Sequence, residues 1–179
     1  VHNVNQKMAG LTTKAQAKTF FYGLIYGAGD AKIGEIINKK RSDGRALKER
    51  FLSNMPALRK TIEQCQFQVA KKGTITLLDA REVPCRSNHV ALNVQLQGDG
   101  AIIMKLGLCI LMRKLKDYKN MWGLMATVHD EWQFECDPDI ADKLGQLGCD
   151  AIEEAGQRLD CKIPLDGNYK IGKNWAECH

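Results

Sequence analysis

The longest uninterrupted pattern in the sequence runs from Asn88 to Tyr118. Leu92, Leu96, Ile103, Leu106, Ile110 and Leu111 recur there at helical spacing. A helix of this kind needs other elements to cover its apolar side. Most of what precedes it also reads as helix. Residues 11–29 form one segment, with Thr12 or Thr13 as cap and Gly27-Ala28-Gly29 as stop. Residues 31–38 and 45–68 follow, the latter broken or restarted at Pro56. Period-two patterning is confined to two short hairpins. Thr74–Leu78 and Glu82–Cys85 flank Asp79-Ala80-Arg81, and Met121–Val128 and Glu131–Glu135 flank His129-Asp130. A last helix over Asp139–Leu159 starts behind Asp137-Pro138. This order predicts an α+β fold: a mainly helical first part, then an antiparallel β-hairpin with packing helices.

A length of 179 residues fits one compact domain or a large part of a bigger one. With 44% hydrophobic and 26% charged residues, the composition is that of a folded protein rather than a disordered one. No apolar run approaches the roughly 18–20 residues that span a bilayer. The start, Val1-His2-Asn3-Val4-Asn5-Gln6, is polar and does not read as a signal peptide. Val in place of Met at position 1 fits a chain trimmed or cut from something longer. The seven cysteines form no C-x-x-C pair and read as reduced thiols of a cytosolic protein. Charge is unevenly placed. Residues 1–86 hold 16 Lys/Arg against 7 Asp/Glu, and residues 87–179 hold 10 against 14. A basic half suits a polyanion such as nucleic acid or a nucleotide, although two solvated surfaces of opposite bias give the same count.

Three polar constellations stand out. Lys14, Lys18, Tyr22 and Tyr26 repeat every fourth residue, so a helix places them on one stripe with steps of about 6 Å. Two ammonium groups followed by two phenols match the order of a nucleoside triphosphate, phosphates first and flat base last. The same tyrosines could instead border the core side carried by Phe20, Phe21, Leu24 and Ile25. Arg86, His89, Asn93 and Gln97 fall at offsets 0, 3, 7 and 11, near one helical face that could reach sugars, phosphates or minor-groove base edges. A solvated polar face opposite the leucines explains them equally. His129, Asp130 and Glu131 sit at the tip of the second hairpin. Adjacent carboxylates there suit Mg²⁺, though Asp is also a common turn former. A pair of Mg²⁺ ions would need carboxylates beyond this one cluster.

Taken in order, these constellations resemble the C-terminal part of a family A DNA polymerase, the DNA polymerase I family, and in particular its bacteriophage replicative branch. Lys18-Thr19-Phe20-Phe21-Tyr22-Gly23-Leu24-Ile25-Tyr26-Gly27-Ala28-Gly29 resembles the fingers-helix motif B. Ala91-Leu92-Asn93-Val94-Gln95-Leu96-Gln97-Gly98 resembles the primer-template-binding helix, and Val128-His129-Asp130-Glu131 is similar to palm motif C. Asn174-Trp175-Ala176-Glu177-Cys178-His179 resembles the carboxyl terminus of the phage enzymes. The resemblance implies that residues 1–86 are most of the fingers and 87–179 the second half of the palm. It implies that Lys18 binds the incoming triphosphate, that His2 touches its phosphates, and that Tyr22 packs by the sugar and affects dideoxynucleotide tolerance. Tyr26 and Gly29 would border the templating base. Asn93 and Gln97 would read the minor groove, with His89 and Arg86 as lesser contacts. Asp130 would ligate the Mg²⁺ pair, Glu131 would support it, and His129 would lie by the primer terminus. The pattern usually has Arg where this chain has Lys14, which keeps the charge but loses bidentate phosphate geometry.

The motif that carries the family's other catalytic aspartate should lie upstream of His2. Thumb and any 3′–5′ exonuclease are expected elsewhere too. The resemblance therefore implies DNA-directed DNA polymerase activity in DNA replication, exercised with an N-terminal polymerase polypeptide on primer-template DNA and dNTPs. A processivity factor would be a further partner, and the bacterial host cytoplasm the place of action. An open strand edge in the palm sheet is expected. The alternative is a non-catalytic primer-template or dNTP-binding module. A metal-dependent nuclease around Asp130 and Glu131 fits less well, since one carboxylate cluster is too few.

Overall fold

A computed structural model describes residues 2–178, with side chains from Gln6 onward. The Val1 and His179 placements, and the His2 side chain assigned to phosphate contact, lie outside the described residues. The chain divides into two compact units, Val1–Gln97 and Gly98–His179. The division falls inside one helix rather than at residue 86, where the charge bias changes.

The first unit holds five helices and one hairpin: α1 (His2–Ala9), α2 (Lys14–Ile25), α3 (Asp30–Ile36), α4 (Arg41–Ser53), α5 (Pro56–Lys72), β1 (Thr74–Thr76) and β2 (Glu82–Pro84). The ends follow local chemistry. Thr13 caps α2 by accepting from the Gln16 backbone N–H at 3.2 Å. Pro56 opens α5 at its first turn, where its missing N–H costs nothing. Gly73 closes α5 in the left-handed conformation at φ 73°, so Lys71 and Lys72 extend the helix beyond the expected end at residue 68. Phe20, Leu24, Ile33, Leu47, Phe51 and Leu52 make the core of α2–α4. The Phe20 and Phe51 rings meet edge-on at 5.1 Å. Helix α1, which periodicity did not predict, is tied to α4. Arg50 donates to the Ala9 carbonyl, and Asn54 Nδ2 to the Met8 carbonyl at 3.2 Å.

A 3-10 turn, Asn88–Val90, leads into α6 (Ala91–Lys114), and a second one, Leu115–Tyr118, ends it. By length and composition Asn88–Tyr118 is long and apolar enough to cross a membrane, with mean hydropathy 1.3 over its most apolar window. The search for a continuous apolar run did not anticipate this, because Asn93, Gln97, Asp99 and Lys105 interrupt the run without lowering the average far. Ile110, Leu111 and Leu115 belong to a protein core, while 17% of the apolar window is buried.

The second unit adds β3 (Trp122–Val128), β4 (Glu131–Cys136), α7 (Ala141–Arg158) and the short α8 (Trp175–Cys178). Strands β3 and β4 pair antiparallel from Trp122↔Cys136 to Val128↔Glu131. The register slips between Leu124 and Ala126, so Met125 is an extra residue on β3, a bulge. Ile110, Leu111, Leu115, Ile140, Leu144, Ala151 and Ala155 form the core, with Trp122, Trp132 and Phe134 packed on it. The hairpin thus lays its aromatic face on the core, as its alternation predicts. The fold is α+β, with two separate two-stranded antiparallel sheets among the described residues.

Candidate functional site

Each unit carries candidate residues, and each set is described from its own surroundings. In the first unit, the capped helix α2 sends Phe20 and Leu24 inward. The fourfold repeat then has to lie outside. Lys14, Lys18, Tyr22 and Tyr26 are all exposed, the tyrosines at 42% and 50%. The Lys18 ammonium lies 6.0 Å from the Tyr22 ring centroid, a cation–π distance. The Tyr22 and Tyr26 rings sit 6.2 Å apart at 34°. The stripe is therefore a coherent surface, charged at one end and aromatic at the other. Of its two sequence explanations, a solvent-facing row rather than a core border is what the fold presents.

Gly27 fixes the end of that row. Its φ is 79°, and a Cβ there would stand 2.0 Å from the His89 carbonyl oxygen. The turn after α2 therefore rests directly on the backbone of the Asn88–Val90 turn. Sequence reasoning treated Gly27 only as a helix stop. A glycine just past a helix, in a region needing positive φ, was the available signal. Gly29 caps α3 on an exposed edge, and a Cβ there would meet nothing within 4 Å. A cavity of about 40 Å³ lies beneath, lined by Leu24, Gly27, Lys48, Gln66, His89 and Leu92.

The expected single face of Arg86, His89, Asn93 and Gln97 needs correction. Arg86 precedes any helix and His89 lies in the 3-10 turn, so only Asn93 and Gln97 are on α6. The counting assumed 3.6 residues per turn where the chain makes 3.0. Ser87 Oγ and His89 Nδ1 lie 2.8 Å apart, a local bond that competes with regular helix. Arg86, His89 and Gln97 are exposed. Asn93 is half-buried, and its Oδ1 is buried without a hydrogen-bond partner. Such an acceptor calls for a donor.

In the second unit, His129 and Asp130 form the two-residue turn between β3 and β4, both exposed. His129 has φ 52°, an uncommon conformation for a residue with a side chain, often found at functional turns. Glu131, the first residue of β4, accepts from Gln133 Nε2 two residues along the same strand face. Gln133 was not singled out from sequence, although period two places it beside Glu131. The tip offers hard oxygen donors of the kind Mg²⁺ prefers. Among the described residues no group of three or more His, Cys, Asp or Glu side chains could hold a metal ion. Asp130 and Glu131 are two neighbouring carboxylates, fewer than such a group needs.

Residues 1–177 match the family model for DNA polymerase family A. The DNA-directed DNA polymerases of Enterobacteria phage T3 and Escherichia phage T7 are each 38% identical over 200 aligned residues, which take in 100% of this chain and 28% of theirs. DNA polymerase I of Bacillus caldotenax is 26% identical over 92% of this chain and 20% of its own. Among solved structures, the POL domain of Pol1 from M. smegmatis, in complex with DNA primer-template and dNTP, superposes with a TM-score of 0.78. That match has 20% identity over 93% of this chain and 32% of that one, so it shows the fold. The chain spans under a third of the length of these curated relatives. A match along nearly the whole sequence, together with phage relatives at this identity, places the chain in DNA polymerase family A.

Proposed function

We propose that this chain is the fingers (about 1–86) and the later part of the palm (87–179) of a template-directed DNA polymerase. The observation that carries this reading is the exposed Lys14–Lys18–Tyr22–Tyr26 row on α2, in a chain of this family. Lys18 binds the triphosphate of an incoming dNTP as a point charge, with Lys14 adding a weaker, non-bidentate charge. Tyr22 packs on the sugar, while Tyr26 and Gly29 border the templating base. His2 reaches the phosphates as the resemblance implies. Asn93 and Gln97 contact the minor groove, where acceptors recur in every base pair. His89 and Arg86 make lesser contacts.

Asp130, supported by Glu131, holds Mg²⁺ at the hairpin tip, and His129 lies by the primer terminus. When bound, Mg²⁺ supplies activation of the primer 3′-hydroxyl and charge stabilisation of the leaving oxygens. The remaining carboxylate comes from outside this set of residues, in the portion of the polymerase that also carries thumb and any exonuclease. That portion is the N-terminal partner, and replication in the bacterial host cytoplasm is the setting. The M. smegmatis relative was solved with primer-template and dNTP, which supports both ligands here.

Binding of labelled dNTP to the chain on primer-template DNA tests the first step. Lys18→Ala should weaken it about tenfold, about 1.4 kcal/mol, and Lys14→Ala by less. Unchanged affinity in Lys18→Ala overturns the assignment. A non-catalytic primer-template or dNTP-binding module is the second reading. It predicts the same binding with no extension when the missing portion is supplied.

A further inference from the structure

The second unit has an open surface pocket of about 310 Å³ that none of the roles above uses. Met112, Leu115, Lys116, Lys119, Asn120 and Trp122 line it. We propose that it is a contact site for single-stranded DNA, separate from the α2 row.

Its floor is apolar and held in place. The Trp122 indole N–H donates to the Leu115 carbonyl at 3.3 Å, and its ring meets Phe134 edge-on at 5.9 Å. Met112 adds an exposed, adaptable thioether at the rim. Above this floor, Lys116 and Lys119 stand three residues apart across the 3-10 turn. Lys116 lies in the Leu115–Tyr118 turn and Lys119 is the residue that ends it, about 6 Å further along at about 2 Å per residue. That spacing is comparable to the distance between neighbouring phosphates of an extended strand. Both lysines are exposed, and neither forms an ion pair among the described residues, whereas neighbouring Lys114 is held by Glu154 at 2.9 Å. Asp117 lies between them in sequence but does not line the pocket. Asn120, at φ 65°, closes the turn and offers both a donor and an acceptor to a base edge.

Two point charges in a row beside an aromatic and thioether surface form a sequence-tolerant strand contact. An acidic protein segment would meet the same charges. However, the pocket is open along its length, unlike the enclosed, water-excluded anchors that dominate protein interfaces. The unit as a whole is acidic, with 14 Asp/Glu against 10 Lys/Arg over residues 98–179. The contact is therefore confined to this island.

Amide NMR on the full chain, titrated with an eight-residue oligo(dT), tests it. The Trp122 indole resonance is assigned by Trp122→Phe. The expected result is shifts at Lys116–Trp122, with at least tenfold weaker binding there in K116E/K119E. The slope of log affinity against log salt at this site should flatten by about 1.4, from two phosphates at about 0.7 each. Lys18→Ala/Tyr22→Ala should leave these shifts in place, so the site can fail while the polymerase reading stands, and the reverse. Absence of shifts, unchanged affinity in K116E/K119E, equal binding of thymidine monophosphate, or shifts with an acidic peptide alone would each overturn the proposal.

Discussion

Replacing Gly27 by Ala should loosen the first unit. Two costs combine. At φ 79° an L side chain is strained by about 1–2 kcal/mol. The new Cβ would also stand 2.0 Å from the His89 carbonyl oxygen, a backbone atom that no rotamer change can move. Forced contacts of that kind cost a further 1–3 kcal/mol or so, for a total of about 3 kcal/mol. Gly73→Ala isolates the first cost, since its φ is 73° and a Cβ there meets nothing within 4 Å. Gly29→Ala has neither cost and should stay within about 0.5 kcal/mol of the parent. Because the chain forms two compact units, a single unfolding free energy is not the right readout. Native-state hydrogen exchange of the α2 and α4 amides is, with α7 amides as internal reference. The expected loss is about 3 kcal/mol in α2 for Gly27→Ala with α7 unchanged. A loss no larger than that of Gly73→Ala would refute the close approach of the α2 end to the Asn88–Val90 turn.

Further outcomes follow from the packing and the ion pairs. Phe51→Ala removes a fully buried ring that meets Phe20 and Phe21, and should cost about 4 kcal/mol in the exchange of α2 and α4 amides. Glu154, bonded to Lys114 at 2.9 Å and Arg158 at 2.5 Å, is held below the usual carboxylate range by those two partners. Its stabilising contribution is full above the unfolded value of 4.5 and is lost as pH falls through the lower folded value. Glu154→Gln should therefore flatten the acid limb of the second unit's Trp fluorescence stability profile. Tyr169 ionises above the ordinary tyrosine range, first because packing penalises the phenolate and then because Asp142 lies 3.3 Å from its hydroxyl. Asp142→Asn should bring its ultraviolet titration down. Gly145→Ala, whose Cβ would stand 2.3 Å from the Tyr169 ring, should do the same by displacing it.

The elements that periodicity could see were those with a continuous pattern and a physical stop. Helix α2 ends where Thr13 and Gly27 end it, α5 begins at Pro56, and both hairpins form where alternation meets a turn. Helix α1 was not read from the sequence because it spans only eight residues, and it is fixed by Arg50 and Asn54 from α4. The solvent-facing α2 row was legible because a fourfold spacing fixes a face once Phe20 and Leu24 fix the opposite one. The Arg86–His89 part of the other row was misread, because a side-chain bond and a 3-10 turn changed the period locally. The approach of Gly27 to His89 and the bulge at Met125 depend on residues brought together by folding or by strand register. No local pattern announces such contacts.

The proposed role of Asp130 lies in template-directed synthesis. Primer extension with Mg²⁺ and dNTPs, run on the chain alone, with a polypeptide carrying the exonuclease, thumb and first palm portion, and again with Asp130→Ala, tests it most directly. Extension in the mixture that Asp130→Ala abolishes is the predicted result. Extension that survives Asp130→Ala, or silence in the mixture while primer-template binding persists, would contradict it.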